Sequence, residues 1–325
     1  MEYNSTKRLH LVTGRAHPEL AQEVAEILGT GLLDASPANF ANGEIYCRFA
    51  ESVRGSDVFI MQTHLSTSEM SVNDAVMEQL IMVDAARRAS ARSVNVVAPF
   101  FGYARQDRKA TGREPITAKL MANAFKSAGA DRLLSVDLHS NQIQGFFDGP
   151  WDHLVAMPVL IDALGGYDDL VIVSPDAGRV KVAERYSNAL GADLAFVHKR
   201  RVKDAHNMVE AKEVVGDVAG RHCVLIDDMI DTGGTICAAA DQLTEQGASQ
   251  VWAATTHGLF SGPAIDRIKN SSIERLVVTN TLPIPPDKFI DKFELVSIGP
   301  LVADAIRAVF TNESVSEIFG GANQI

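Results

Sequence analysis

Cysteine is scarce. The 325 residues contain three, Cys47, Cys223 and Cys237, widely scattered. That spacing excludes a disulfide framework and a cysteine-built metal cluster, and all three read as small core residues. Long apolar runs are missing too. No stretch approaches the roughly 20 residues that a membrane-spanning helix needs, so no membrane partner is expected. The opening Met-Glu-Tyr-Asn-Ser-Thr has neither the basic nor the apolar region of a secretory signal, and a cytoplasmic location is the expectation. Positive charge is in the minority, with 30 Lys and Arg against 41 Asp and Glu and a net charge of −11. Such a balance argues against a general nucleic-acid surface.

The basic residues that exist are concentrated. One group holds Arg105, Arg108, Lys109 and Arg113, the other Lys199, Arg200, Arg201 and Lys203. Basic clusters on an acidic chain suggest small anions bound locally. The length suggests about two domains, each able to bury its own core.

Apolar runs alternate with helical periods along the whole chain. In the first half, strands are expected at residues 9–14, 44–50, 57–62, 94–99 and 132–138, and helices at 18–28, 71–88 and 115–128. Trp151 and Asp152 read as a crossing point. In the second half, strands are expected at 170–174, 194–198, 224–227, 251–256 and 276–279. Helices are expected at 157–164, 180–190, 234–246, 263–269 and 299–310. Two βα-rich halves imply an α/β protein of two tandem doubly wound domains, each with a mostly parallel sheet.

The most informative stretch is Val224-Leu-Ile-Asp-Asp-Met-Ile-Asp-Thr-Gly-Gly-Thr235. Its apolar start reads as a buried strand that delivers Asp227 and Asp228 at its end. Asp231, Thr232, Gly233, Gly234 and Thr235 then turn the chain into a helix. A Gly/Thr turn opening a helix presents unpaired N–H groups and a positive dipole end to a phosphate. Ionised carboxylates only accept hydrogen bonds and suit vicinal hydroxyls. Phosphate at one end and a diol at the other describe a sugar phosphate. The pattern resembles the ribose-phosphate motif of the type I phosphoribosyltransferase superfamily. A structural strand–turn–helix with solvated Asp residues is the bland alternative.

Tyr103-Ala-Arg-Gln-Asp-Arg-Lys109 directly follows a strand. By itself such a run also fits a solvated loop. Taken with the sugar-phosphate stretch, it resembles the ribose-phosphate pyrophosphokinase family, over nearly the whole chain. The resemblance implies a transfer of the diphosphoryl group of ATP to ribose 5-phosphate, with Mg²⁺ as cofactor. It implies domains at 1–150, rejoined by 304–325, and at 151–303.

The resemblance also implies site residues. Asp231, Thr232, Gly233, Gly234 and Thr235 would hold the 5-phosphate, and Asp176, Asp227 and Asp228 the ribose. Arg105, Gln106, Asp107 and His139 would arrange ATP, with His139 and Asp176 near the metal. Lys199 and Arg201 would stabilise the transferring group from a mobile loop that leaves the strand at His198. Phe40, Asn42 and Glu44 would reach the adenine of a neighbouring subunit, which requires an oligomer, commonly a hexamer built from dimers. Arg54, Ser314 and Ser316 match a regulatory site responsive to phosphate or ADP, although they also fit ordinary surface residues. Two departures stand out: Arg179 where the family commonly has Gly, and His198 where it often has Asp. A nucleobase phosphoribosyltransferase and a non-catalytic relative of the pyrophosphokinase are the rival readings. The intact basic and metal residues speak against the second.

Overall fold

The computed structural model describes residues 7–167, 169–203 and 208–319; the side chains of 199–212 lie outside that description. The chain divides into two compact units. The first holds the residues up to Val155, then 281–283 and those from Ile298 onward; the second holds Ala156–Asn280 and Ile284–Ser297.

In the first unit β1 (Leu9–Thr13) leads into α1 (Pro18–Leu28), and β2 (Ala38–Asn39) pairs with β3 (Ile45–Tyr46) as a small antiparallel hairpin. There follow β4 (Asp57–Met61), α2 (Val72–Arg88), β5 (Ser93–Ala98), α3 (Thr117–Ala128), β6 (Arg132–Val136) and β7 (Trp151–Leu154). The sheet runs β1-β4-β5-β6-β7, and every pair in it is parallel. Strand alternation sends Val58, Ile60, Val94 and Val96 to one face, where they pack with Met82 and Val83 of α2 and with Ala122 and Phe125 of α3. Local signals place the helix ends. Pro18 opens α1, and Gly29, at φ 68, closes it in the left-handed region. Ser71 and Asp74 form a reciprocal capping box at the start of α2.

The second unit contains α4 (Met157–Leu164), β8 (Leu170–Ser174), α5 (Val180–Leu190), β9 (Asp193–Lys203), β10 (Met208–Val215) and β11 (His222–Ile230). It continues with α6 (Gly234–Glu245), β12 (Gln250–Gly258), α7 (Ala264–Asn270), β13 (Arg275–Thr279) and β14 (Phe293–Val296). Its sheet order is β10-β9-β8-β11-β12-β13-β14, parallel except for the β9–β10 edge pair. On one face Val171, Val173 and Leu225 pack with α6 and α7; on the other Ile172, Val224 and Ile226 pack with α4 and α5. The strand order reverses between β8 and β11, because the chain places β9 on one side of β8 and then returns to the other. In open α/β sheets ligands gather at such a point, beyond the carboxyl ends of the strands. The final helix, α8 (Gly299–Thr311), belongs to the first unit and packs on α1.

Four local expectations are corrected. Residues 44–50 form only the short β3 of a hairpin. Trp151 and Asp152 begin β7, and the Trp151 ring is a core group: its Nε1 donates to Ser135 Oγ at 2.7 Å, and it meets Phe101 edge-on at 4.8 Å. The chain does not leave the strand at His198. β9 continues to Lys203 and pairs with β10, Lys199 opposite Lys212 and Arg201 opposite Glu210. A run of consecutive basic residues looks like a loop when only hydrophobic period is read. Finally, β11 runs past both carboxylates to Ile230, held by parallel pairing to β12.

Candidate active site

In the second unit the candidate residues converge at the switch point. Asp176 follows β8, and its Oδ1 accepts the Gly178 N–H at 2.8 Å. Asp227 and Asp228 lie in β11, next to β8. Between them comes Arg179 at the start of α5. Its Nε is 3.7 Å from Asp227 Oδ1, and its Nη2 pairs with Asp228 Oδ2. Burial, together with the charge of Asp228, pushes the Asp227 carboxyl well above its ordinary range, and Arg179 only partly opposes the shift. Two adjacent carboxylates thus share one guanidinium. The departure at Arg179 supplies the counter-charge of the pair.

Five residues beyond Asp228, Gly233 takes φ 72 as the N-cap of α6, without any side-chain cap. The left-handed conformation favours glycine there. Cys237 N–H donates to Gly233 O at 3.1 Å as the first helical bond, so the preceding first-turn N–H groups have no intrahelical partner. Thr232, Gly234 and Thr235 are exposed. Asp231, half-buried, anchors the turn by accepting the Ser261 N–H on its carbonyl at 2.9 Å. Arg267 of α7 donates from Nη1 to Thr232 O at 2.9 Å, which brings a cation to the same turn. Sequence reading missed Arg267, because nothing local in α7 marks it; only the packing of α7 beside α6 brings it there.

In the first unit a second group forms where β5 and β6 end. Tyr103 adopts φ 63, and the Gln106 N–H closes the turn on Tyr103 O at 2.9 Å. Arg105 and Gln106 are exposed. The Gln106 side chain accepts from Thr117 Oγ1, and its carbonyl accepts the Ala118 N–H at 3.2 Å, tying the loop to α3. Asp107 is different: it is buried, and its Oδ2 accepts from Ser140 Oγ and from Gln142 Nε2, the latter at 2.9 Å. Its carboxylate therefore joins the 103–109 loop to the segment holding His139. His139 itself is half-buried and follows Asp137, a non-glycine residue at φ 38. Backbone in that sparsely populated region persists only where surrounding bonds hold it; here Asp137 N–H donates to Leu154 O, and Leu138 N–H to His153 Nε2, both at 2.9 Å.

Phe40, Asn42 and Glu44 sit at the tip of the β2–β3 hairpin, all exposed. Phe40 is 56% exposed, its ring 5.7 Å from that of Tyr46 in the same hairpin. An aromatic anchoring its own domain would be buried; this one is presented outward. Arg54 is exposed in the turn before β4, and the Ser314 and Ser316 hydroxyls are 2.7 Å apart on the surface after α8. The side chains of Lys199 and Arg201 lie outside the described residues.

Among the described residues no three His, Cys, Asp or Glu side chains form a metal-binding group. No described helix is long and apolar enough to cross a membrane.

Comparison with known proteins agrees with this geometry. Residues 9–129 match the N-terminal domain of ribose phosphate pyrophosphokinase, and residues 210–320 match the phosphoribosyl synthetase-associated domain. The chain is 57% identical to the ribose-phosphate pyrophosphokinase of Streptomyces coelicolor over 96% of both chains. It is 53% identical to that of Bifidobacterium longum, over 98% of this chain and 94% of the relative. A crystal structure of phosphoribosylpyrophosphate synthetase from Mycobacterium smegmatis superposes with a TM-score of 0.88 at 50% identity, covering 94% of this chain and 100% of that one.

Proposed function

The chain belongs to the ribose-phosphate pyrophosphokinase family, and from that premise we propose that it transfers the diphosphoryl group of ATP to the anomeric hydroxyl of ribose 5-phosphate, giving 5-phosphoribosyl 1-diphosphate and AMP. The observation that carries the reading is the run from β11 into α6: two carboxylates, then a glycine turn whose first-turn N–H groups have no intrahelical partner and no side-chain cap, at the sheet's switch point.

The roles follow from donor chemistry. The amides of the 232–235 turn and the positive end of α6 receive the 5-phosphate, with Arg267 adding charge beside them. Asp227 and Asp228 accept hydrogen bonds from the ribose hydroxyls. Arg105 and Gln106 contact the nucleotide, while Asp107 holds their loop against the His139 segment. Lys199 and Arg201 neutralise charge on the transferring group. The anomeric oxygen attacks the β-phosphorus in line; its O–P bond forms as the bond to the α-phosphate oxygen breaks, and AMP leaves with that oxygen. Such transfers depend on positioning and charge stabilisation rather than covalent catalysis by the protein.

The donor set fits Mg²⁺ held mostly by phosphate oxygens. Magnesium retains waters and takes one or two protein ligands, and Asp176 and His139 are single donors rather than parts of a closed cage. Bound to either donor, an ion would neutralise developing phosphate charge. We further assign the protein to the cytoplasm, and to an oligomer, commonly a hexamer built from dimers in this family, in which the exposed Phe40 hairpin meets a neighbour's nucleotide. Arg54, Ser314 and Ser316 would form its phosphate- or ADP-responsive contact.

The test is AMP release from ATP, with and without ribose 5-phosphate. Release that depends on the sugar supports the reading; none, or release indifferent to the sugar, sinks it. Lys199→Ala and Arg201→Ala should each lower kcat by about a hundredfold or more while leaving the Kd for ribose 5-phosphate nearly unchanged.

A further inference from the structure

His64 lies wholly inside the first unit, three residues beyond the end of β4, and belongs to none of the motifs above. Both of its ring nitrogens are engaged. The Gly102 N–H donates to Nδ1 at 2.9 Å, so Nδ1 carries no proton. Nε2 is therefore the N–H, and it donates to Gln79 Oε1 at 2.8 Å. Gln79 is held in turn: its amide nitrogen donates to Ile60 O at 2.8 Å and to Val97 O at 3.2 Å, carbonyls of the neighbouring strands β4 and β5. A chain of hydrogen bonds thus runs from the sheet through two buried side chains to one loop amide.

That amide sits where the chain turns from Phe100 and Phe101 into the 103–109 loop. The His64 N–H also donates to Phe100 O at 3.1 Å, so backbone and ring grip the same turn. The approach is close: a Cβ on residue 102 would fall 2.8 Å from His64 Cβ, which leaves room only for glycine. The imidazole stacks on Phe125 at 5.9 Å, with 7° between the planes. Burial pushes its pKa down to about 4, so the ring stays neutral and Nδ1 stays an acceptor near neutral pH. An aliphatic side chain would fill this space without desolvating two nitrogens; what the imidazole adds is direction.

We propose that His64 is a positioning residue for the nucleotide loop: its Nδ1, aimed by Gln79, sets the Gly102 peptide and through it the placement of Arg105 and Gln106. The inference rests on the reading that this loop takes ATP.

Two single variants of the full-length protein separate bonding from bulk. His64→Asn places a carbonyl oxygen near the Nδ1 position and keeps an acceptor for Gly102. His64→Gln reaches the Nε2 position, keeps the link to Gln79 and leaves Gly102 without its acceptor. Both lose the stacked ring, so both should lower Tm comparably, and a purely structural role would then move their kinetics together. The expected result is a split. His64→Gln raises KM for ATP about tenfold with KM for ribose 5-phosphate unchanged, and His64→Asn stays much closer to the parent on both. Equal KM values for ATP in the two variants, or equal losses for both substrates, overturn the proposal. Arg105→Ala serves as the control. If it weakens ATP while His64→Gln does not, the loop assignment stands and the His64 role is lost; if it leaves ATP untouched, the loop assignment falls and takes this inference with it.

Discussion

Asp227 and Asp228 share the guanidinium of Arg179, and the sharing is incomplete protection for a half-buried pair. With the Asp227 pKa raised above its ordinary 3.8, the folded protein keeps a proton there that the unfolded chain releases. The group therefore favours folding below its ordinary pKa, and that contribution is lost as pH climbs through the raised value. The Tm of the unliganded protein minus that of Asp227→Asn should accordingly fall as pH rises from about 4 to about 8; a flat difference would show that the carboxyl titrates normally. Gly233 supports a second expectation. Gly233→Ala forces a Cβ into the left-handed region, at a cost of about 1–2 kcal/mol, and tilts the amides proposed to receive the phosphate. KM for ribose 5-phosphate should rise while KM for ATP holds. The two carboxylates and the glycine pair were legible from residue type alone. Arg179 was legible only as an oddity, and Arg267 not at all, since neither the ion pair nor the bond to Thr232 O has a local signature.

Among the elements, those with strong local punctuation appear where periodicity puts them: α1 between Pro18 and Gly29, and α2 behind the Ser71 box. The box is exposed and far in sequence from the proposed ligand contacts. Ser71→Ala should lower unfolding free energy by about 1 kcal/mol with unchanged kcat, as read by urea denaturation and initial rates. The strand expected at 194–198 is the first half of β9; its extension past His198 and its partner β10 were not legible, because the basic and acidic residues there carry no clear apolar alternation and the pairing is through the backbone at a sheet edge. The extent of β11 past Asp227 was hidden for a similar reason. Pairing with β12, not side-chain pattern, carries the strand to Ile230.

For the whole molecule the central prediction concerns assembly. Phe40 faces outward on a hairpin tip, and Lys199 belongs to the other unit. If Phe40 serves a neighbour's nucleotide, Phe40→Ala and Lys199→Ala chains should each be nearly inactive, and mixed oligomers of the two should regain activity. Each mixed pair assembles one site with both residues intact. Co-expression with two affinity tags reads this directly; no gain in the doubly tagged fraction would place Phe40 outside any shared site.

Residue order by itself determined that this is an α/β protein of two βα-rich halves with a glycine turn opening a helix just after a carboxylate pair, because strand and helix periods, glycine turns and proline starts are written within a few consecutive positions. Tertiary structure alone decided which strands are neighbours, and hence that Arg179 is shared by Asp227 and Asp228, that Asp107 meets Ser140 and Gln142, and that a buried His64 grips Gly102. Those partners lie tens of residues apart along the chain, and the order in which the strands are laid into the sheet is what brings them within a hydrogen bond.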